Sequence, residues 1–536
     1  MTDGADLHQR AAEYARSAHL ARGGSFVPTA ATPRNVVVVL LDSLNRHMVG
    51  AYGGTEFATP NLDRFARRSI RFQHHYAGSL PCVPARHDIL CGALDFLWRP
   101  WGSVEVWEQA LPTLCRREGV VTALITDHPH LFEAGGENYH IDFHAWHYER
   151  GGETDPWRTV PDPTAIGAPL LPAAKSAVPM HYNVSRTYYR DETSFPGPRT
   201  MAAAADWIRT NATAHERFFL FVDEFDPHEP FDTPEPWASL YDENWDGQRL
   251  IWPPYVVDAL KSKTLTSREA MQLRANYGAK LSMIDHWFGR LIDALDAASL
   301  WDNTAVIVCS DHGLYLGEHD LFGKPPAPIY NTLGHIPLMI AWPGAEPREE
   351  AALTTSADVF ATLVDVFGLS PSHRTHGHSM VPVLVGDSSH QRDYLLSGVW
   401  GREVHLITRD IKYVASPTDG SDNFPLQVWS NRWSTLPYRA MQGFESLPAP
   451  DKRAELAFMP GSSVPVIRQP FQAGDMLPYW AAGPFTGNHL YRTAEDPDEL
   501  HDETGTCLED VVREQLRSAL EDVEAPQAQF VRLGLS

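Results

Sequence analysis

Apolar and polar positions along this chain follow two periods in turn. Residues 36–41, Val-Val-Val-Val-Leu-Leu, form a β-branched run that reads as a central parallel strand, apolar on both faces. Runs at 120–125, 218–222, 304–309 and 336–340 read the same way. Between them, 86–94, 201–209, 267–295 and 358–367 carry helical spacing. Thr59-Pro60-Asn61-Leu62-Asp63 opens a further helix, with Thr59 as the expected cap, Pro60 at the first helical position, and Leu62, Phe65 and Ala66 on one face. Strand and helix alternate from 36 to about 370, which predicts an α/β fold: a mostly parallel central sheet sandwiched by helices. Beyond about 385 the periodicity weakens. Residues 403–408 and 411–415 read as short strands of an antiparallel sheet, in a smaller C-terminal α+β domain. The expected division is an N-terminal arm (1–34), a main domain (35–385) and a C-terminal subdomain (386–536). Residues 6–21 could form a helix in the arm before Gly23, Gly24, Pro28 and Pro33 break it. Residues 150–197, rich in Pro, Gly and charge, read as a long excursion over a pocket.

Composition narrows the partners. The chain of 536 residues is 43% hydrophobic, enough for a large core, and its formal charge of −24 argues against nucleic acid or an anionic membrane as partner. The five cysteines are few, odd in number and without CxxC spacing, so they are no disulfide framework and suit a reducing compartment. Residues 1–22 lack the apolar core of a signal peptide, and no run is long enough to span a membrane, so the expected location is cytoplasmic. A homo-oligomer is compatible with all of this.

The polar residues that end the strands carry the chemistry. Asp42, His128, Asp223 to His228 and Asp311-His312 each follow an apolar run, where open α/β sheets place their sites. Asp42, Asp311 and His312 are placed to meet the Cys82 loop around one divalent ion; two carboxylates suit a hard cation, and the imidazole suits Mn²⁺ better than Ca²⁺. Mg²⁺ stays open as well. Cys82 stands just before a helix, where the positive N-terminal end favours an anionic group. Gly317 and Gly323 let the loop after Asp311 turn back, so that Lys324 joins Arg86 as a cation facing an anionic substrate. His228, in Asp226-Pro227-His228-Glu229-Pro230, is a candidate proton donor to a leaving oxygen.

Leu80-Pro81-Cys82-Val83-Pro84-Ala85-Arg86 resembles the core motif of the type I sulfatases. The resemblance extends through Asn35 to Asp42, Thr59 to Asp63, Pro227-His228, Ser310-Asp311-His312-Gly313 to Lys324, and His335-Ile336-Pro337-Leu338. It continues in Arg409-Asp410-Ile411-Lys412-Tyr413 and in Leu490-Tyr491 with Glu495 to Glu499, covering about 35–505. The chain is thus similar to the sulfatase branch of the alkaline phosphatase superfamily, including the phosphonate monoester hydrolases. The family implies an α/β/α catalytic domain, one divalent metal, and oxidation of Cys82 to formylglycine (3-oxoalanine) by a formylglycine-generating enzyme. Its hydrated aldehyde is then the nucleophile and, like Asp42, Asp311 and His312, a metal ligand. Arg86, His228 and Lys324 complete the catalytic set, and His128, His130 and Lys324 fall where the family binds substrate.

One position departs from the pattern. Most sulfatases carry a second aspartate after the first; here it is Ser43, and phosphonate monoester hydrolases lack it too. Two carboxylates neutralise one divalent ion, so Arg86 and Lys324 leave a site about two units positive. Such a site should prefer monoanionic esters: sulfate esters first, with phosphonate monoesters and phosphodiesters as the alternative.

Overall fold

A computed structural model describes residues 32–133, 135–165, 180–387, 392–418, 424–433, 447–481 and 484–536. The helix expected at 6–21 and residues 166–179 of the excursion lie outside them. An eight-stranded sheet forms the centre, from β1 (Asn35–Leu41), β2 (Ile70–Tyr76), β4 (Val121–Thr126), β5 (Ala145–Tyr148), β6 (Phe218–Glu224), β7 (Thr304–Cys309), β10 (Leu338–Ala341) and β11 (Arg348–Thr355). Its order is β11-β2-β10-β7-β1-β6-β4-β5. Every pairing is parallel except those of β10, which runs antiparallel to β7 and β2.

The apolar run of β1 is apolar on both faces because both faces are covered. Val37, Val39 and Leu41 pack with Tyr277, Leu281 and Met201, from helices Ser267–Ala297 and Pro196–Asn211. Val36, Val38 and Leu40 pack with Cys82, Leu90 and Phe360, from helices Cys82–Cys91 and Ala357–Phe367. Each such side chain, fully buried, contributes about 1.5–3 kcal/mol. The 31-residue helix Ser267–Ala297 starts at a capping box, Thr266 with Glu269. Thr59 corrects an expectation: its hydroxyl accepts from the Gly50 amide at 2.9 Å instead of capping helix Pro60–Ala66.

A second sheet, β18-β14-β13-β12-β3, comprises β3 (Ser79–Leu80), β12 (Leu395–Val399), β13 (Val404–Ile407), β14 (Lys412–Ala415) and β18 (His489–Tyr491). The four C-terminal strands are antiparallel, and β3 adds in parallel beside β12. The last two residues before Pro81 and Cys82 are therefore an edge strand of the C-terminal sheet. Two smaller sheets complete the strands: β8 (Tyr315–Leu316) with β9 (Phe322–Gly323), and β15 (Leu426–Ser430), β17 (Pro465–Phe471) and β16 (Glu455–Phe458). Among the described residues no helix is long and apolar enough to cross a membrane.

Candidate active site

Parallel neighbours end at one edge of a sheet, and β7, β1, β6 and β4 are four such neighbours. Asp311-His312, Asp42, Asp223 and His128 therefore emerge side by side. Helix Cys82–Cys91 begins at Cys82 itself, four residues earlier than its spacing suggests, and every residue in it is buried. Asp88 anchors the approach, accepting from the Ser79 amide at 2.6 Å and its hydroxyl at 2.8 Å. Burial pushes the Asp88 carboxyl up to about 7, an effect that its bonds to Ser79 partly offset.

Asp42, Cys82, Asp311 and His312 each present a ligand atom, all within 4.8 Å of one another and all buried. Cys82 Sγ lies 3.2 Å from His312 Nε2. His312 Nδ1 lies 2.8 Å from the Gly313 carbonyl, which holds the proton on Nδ1 and leaves the Nε2 lone pair facing Cys82. Asp42 Oδ2 is buried without a hydrogen bond; Arg86 Nη2 is 2.9 Å away but off the donor direction. A buried, unsatisfied carboxylate oxygen beside an imidazole lone pair fits a divalent cation. Ser43, with φ of 60°, donates its hydroxyl to Asp42 Oδ1 at 2.8 Å and its amide to Asp311 Oδ1 at 3.0 Å. It orients both carboxylates rather than adding a third. Burial, and then the Asp42 charge, push the Cys82 thiol well above its ordinary value, so an unmodified Cys82 is a poor thiolate.

Arg86 faces away from the role expected of it. Its side chain is fully buried, with Nε and Nη2 on Asp223 at 2.9 and 2.6 Å, and Nη1 on Asp311 Oδ2 at 2.9 Å and the Cys82 carbonyl at 3.0 Å. Three carboxylates hold the guanidinium, so it braces the ligand cage instead of reaching for substrate. Asp223, one of the polar residues at the strand ends, is level with Leu40 and Thr126 in the register, which brings it under Arg86.

Lys324 and His228 meet. The β8–β9 hairpin, with Gly317 at φ 121° and Gly323 at φ 69°, returns Lys324 to the site, where Nζ is 2.7 Å from His228 Nε2. His228 Nδ1 lies 2.7 Å from the Glu229 carbonyl, so Nδ1 carries the proton and Nε2 accepts from Lys324. Burial, and then Lys324, push the His228 imidazolium well below the usual histidine range. Burial alone would lower Lys324 too, but Glu229, Cys82 and Asp42 more than offset it and hold the ammonium above the usual lysine range. Two residues that no motif marks join the pair: Glu229, and Tyr255, whose hydroxyl bonds the Glu229 carboxylate.

The two remaining histidines part company. His128 is buried with both ring nitrogens unpaired, and its Nε2 lies 3.7 Å from Asp42 Oδ2. His130 places Nδ1 on Glu133 at 3.0 Å and Nε2 on Glu153 at 2.8 Å, which leaves neither nitrogen facing the site. It ties the start of the 150–197 excursion to the sheet edge, contrary to the expected substrate contact.

The sulfatase family model matches residues 34–369. The choline-sulfatase of Rhizobium meliloti is 28% identical over 433 residues, 74% of this chain and 80% of that protein. The multifunctional alkaline phosphatase superfamily protein PehA of Trinickia caryophylli is 26% identical over 66% of this chain and 77% of its own length. Among solved structures, the phosphonate monoester hydrolase of Agrobacterium radiobacter aligns with a TM-score of 0.62 at 20% identity, over 92% of this chain and 95% of that one. The match spans the strand ends, the Cys82 helix and the Lys324 hairpin alike: this chain belongs to the sulfatase family of the alkaline phosphatase superfamily and is a sulfuric ester hydrolase.

Proposed function

We propose that the protein hydrolyses monoanionic sulfate esters with a formylglycine nucleophile at position 82 and one divalent cation. The observation that carries this is the convergence of Asp42, Cys82, Asp311 and His312 at the N-terminus of a fully buried helix. Asp42, Asp311, His312 and the modified residue 82 would hold the cation, which supplies Lewis-acid activation and charge stabilisation when bound. The formylglycine supplies a hydrated aldehyde as nucleophile in place of a thiol that burial disfavours as an anion. Arg86 fixes the carboxylates, Ser43 orients them, and helix Cys82–Cys91 aims residue 82 with the positive end of its dipole. Lys324, beside neutral His228, faces the ester oxygens with a buried positive charge. Maturation calls for a formylglycine-generating enzyme as transient partner.

Phosphonate monoester or phosphodiester hydrolysis at the same site is the second reading. Ser43 favours it, since one carboxylate fewer makes the site more tolerant of charge on phosphorus. Mass spectrometry of the Cys82 peptide, with activity measured on the same sample, tests the nucleophile; full activity with an unmodified thiol rules it out. Values of kcat/KM for the sulfate, phenylphosphonate, phosphodiester and phosphate monoester of one phenol test the substrate. Sulfate first is expected, phosphonate ahead by orders of magnitude would install the second reading, and phosphate monoester ahead would refute both.

A further inference from the structure

Glu229 follows His228 in the chain and closes around the same two side chains. It is fully buried. Its Oε1 accepts from the Tyr255 hydroxyl and lies 3.6 Å from Lys324 Nζ. Its Oε2, which has no hydrogen bond, lies 3.5 Å from His228 Nδ1. The Tyr255 ring also lies under the ammonium, with Lys324 Nζ 5.7 Å from its centroid. Beyond this contact shell, Cys82, Asp42 and Asp311 act on Lys324 from the cage side.

The arrangement decides where a transferable proton sits. His228 Nε2 is taken up as acceptor from Lys324, and its one proton points at the Glu229 carbonyl. In this arrangement His228 has no proton to give an oxygen in the site. Lys324 has three donors and spends one on His228. We propose that Glu229, fixed by Tyr255, is a positioning residue: it holds Lys324 as an ammonium against His228 and so makes Lys324 the donor to the leaving oxygen. This rests on the hydrolase reading above. As the nucleophile at residue 82 bonds to sulfur, the bond from sulfur to the ester oxygen breaks with its electron pair on that oxygen. The oxygen takes a proton from Lys324 Nζ, and the neutral amine regains one from solvent water after the alcohol departs.

The test is a series of aryl sulfates from 4-nitrophenyl to phenyl, with an alkyl sulfate at the slow end. A nitrophenolate leaves without a proton, whereas an alkoxide needs one, and general acid catalysis contributes about 10²–10⁴-fold. Glu229→Gln, isosteric and neutral, should lower kcat for the alkyl and phenyl esters about 100-fold and for the nitrophenyl ester less than about threefold, so the leaving-group dependence steepens. Glu229→Asp should recover part of the loss on the slow esters. Tyr255→Phe should steepen the dependence in the same sense by a smaller factor, and it carries the test if Glu229→Gln does not fold. Equal losses across the series overturn the proposal and leave the hydrolase reading standing. A wild-type protein, formylglycine-bearing and metal-loaded, that turns over no member overturns both.

Discussion

His130 offers a test in which two roles predict opposite results. Sequence position makes it a substrate ligand; its geometry makes it a buried imidazolium between Glu133 and Glu153. Burial alone would lower its pKa, but Glu153 and then Glu133 pull it up to about 10. In the unfolded chain a histidine titrates near 6.5. A folded pKa raised above the unfolded one means stability that is complete below about pH 6.5 and lost as pH rises through about 10. A separation of about 3.5 units at 1.36 kcal/mol each sets a ceiling near 5 kcal/mol, in the range of about 3–5 kcal/mol for breaking a buried pair. His130→Gln should therefore cost about 3–5 kcal/mol near pH 6 and much less above about pH 10. Urea unfolding followed by tryptophan fluorescence, wild type and variant side by side at both pH values, cancels the titration of every other group. A loss equal at the two pH values would refute the ion-pair assignment. A raised KM with unchanged stability would restore the substrate role.

Three further outcomes follow from the same contacts. Arg86→Met leaves Asp42, Asp223 and Asp311 buried without their cation and should destabilise the metal-free protein by about 3–5 kcal/mol in denaturant unfolding. Arg86→Lys should not rescue it, because an ammonium cannot span Asp223 and Asp311 as the planar fork does. Asp42→Ala and Asp311→Ala should each lose the divalent ion, measured by elemental analysis of dialysed protein; full occupancy in both would show that the ligands lie elsewhere. Gly313→Ala would set a Cβ 2.0 Å from the Thr332 carbonyl oxygen, so the backbone carrying His312 must shift. Calorimetry should then register a metal affinity at least about tenfold weaker, in the range that displacing a ligand's support costs.

The sequence was most legible where one residue type has one environment. The run 36–41 had to be a doubly covered strand, and the residues ending it and its neighbours had to share an edge. Strands with a polar face were missed: β2 carries Arg71 and Gln73 on one partly exposed face, and β11 opens on Arg348-Glu349-Glu350. Both lie toward the far edge of the sheet, where pairing partners rather than composition decide the conformation. The reversed direction of β10 was hidden for the same reason. In the site, Asp42, Asp311 and His312 follow apolar runs, Lys324 follows two turning glycines and Cys82 carries the motif that resembles the family's, so the sequence offers them as one group, and the fold brings Asp42, Cys82, Asp311 and His312 together. What each cation faces was hidden, because Asp223 reaches Arg86 across 137 residues and Tyr255 reaches Glu229 across 26.

Those hidden carboxylates change the charge argument about substrate. Counting Asp42 and Asp311 against the ion left Arg86 and Lys324 as two free positive charges. Asp223 engages the first and Glu229 lies against the second, so with one divalent ion held the formal charge of the site before substrate enters would be near zero rather than two units positive. His130 adds no free positive charge to this, since Glu133 and Glu153 both pair with it. On the proposed reading a near-neutral site would still bind an anion, because Lys324 and a bound cation would face it while Asp223 and Glu229 stand behind; the field at the ester depends on arrangement, not on the sum. The sum does govern the second negative charge. A phosphate monoester would bring nearly two charges into a cage whose cations are already paired, whereas a sulfate or phosphonate monoester brings one. The buried carboxylates therefore strengthen the expected preference for monoanions, and they do so without ranking sulfur against phosphorus. That ranking falls to Ser43: a carboxylate in its place would set a further negative charge beside Asp42, while its hydroxyl supports Asp42 and leaves the site more tolerant of charge on phosphorus.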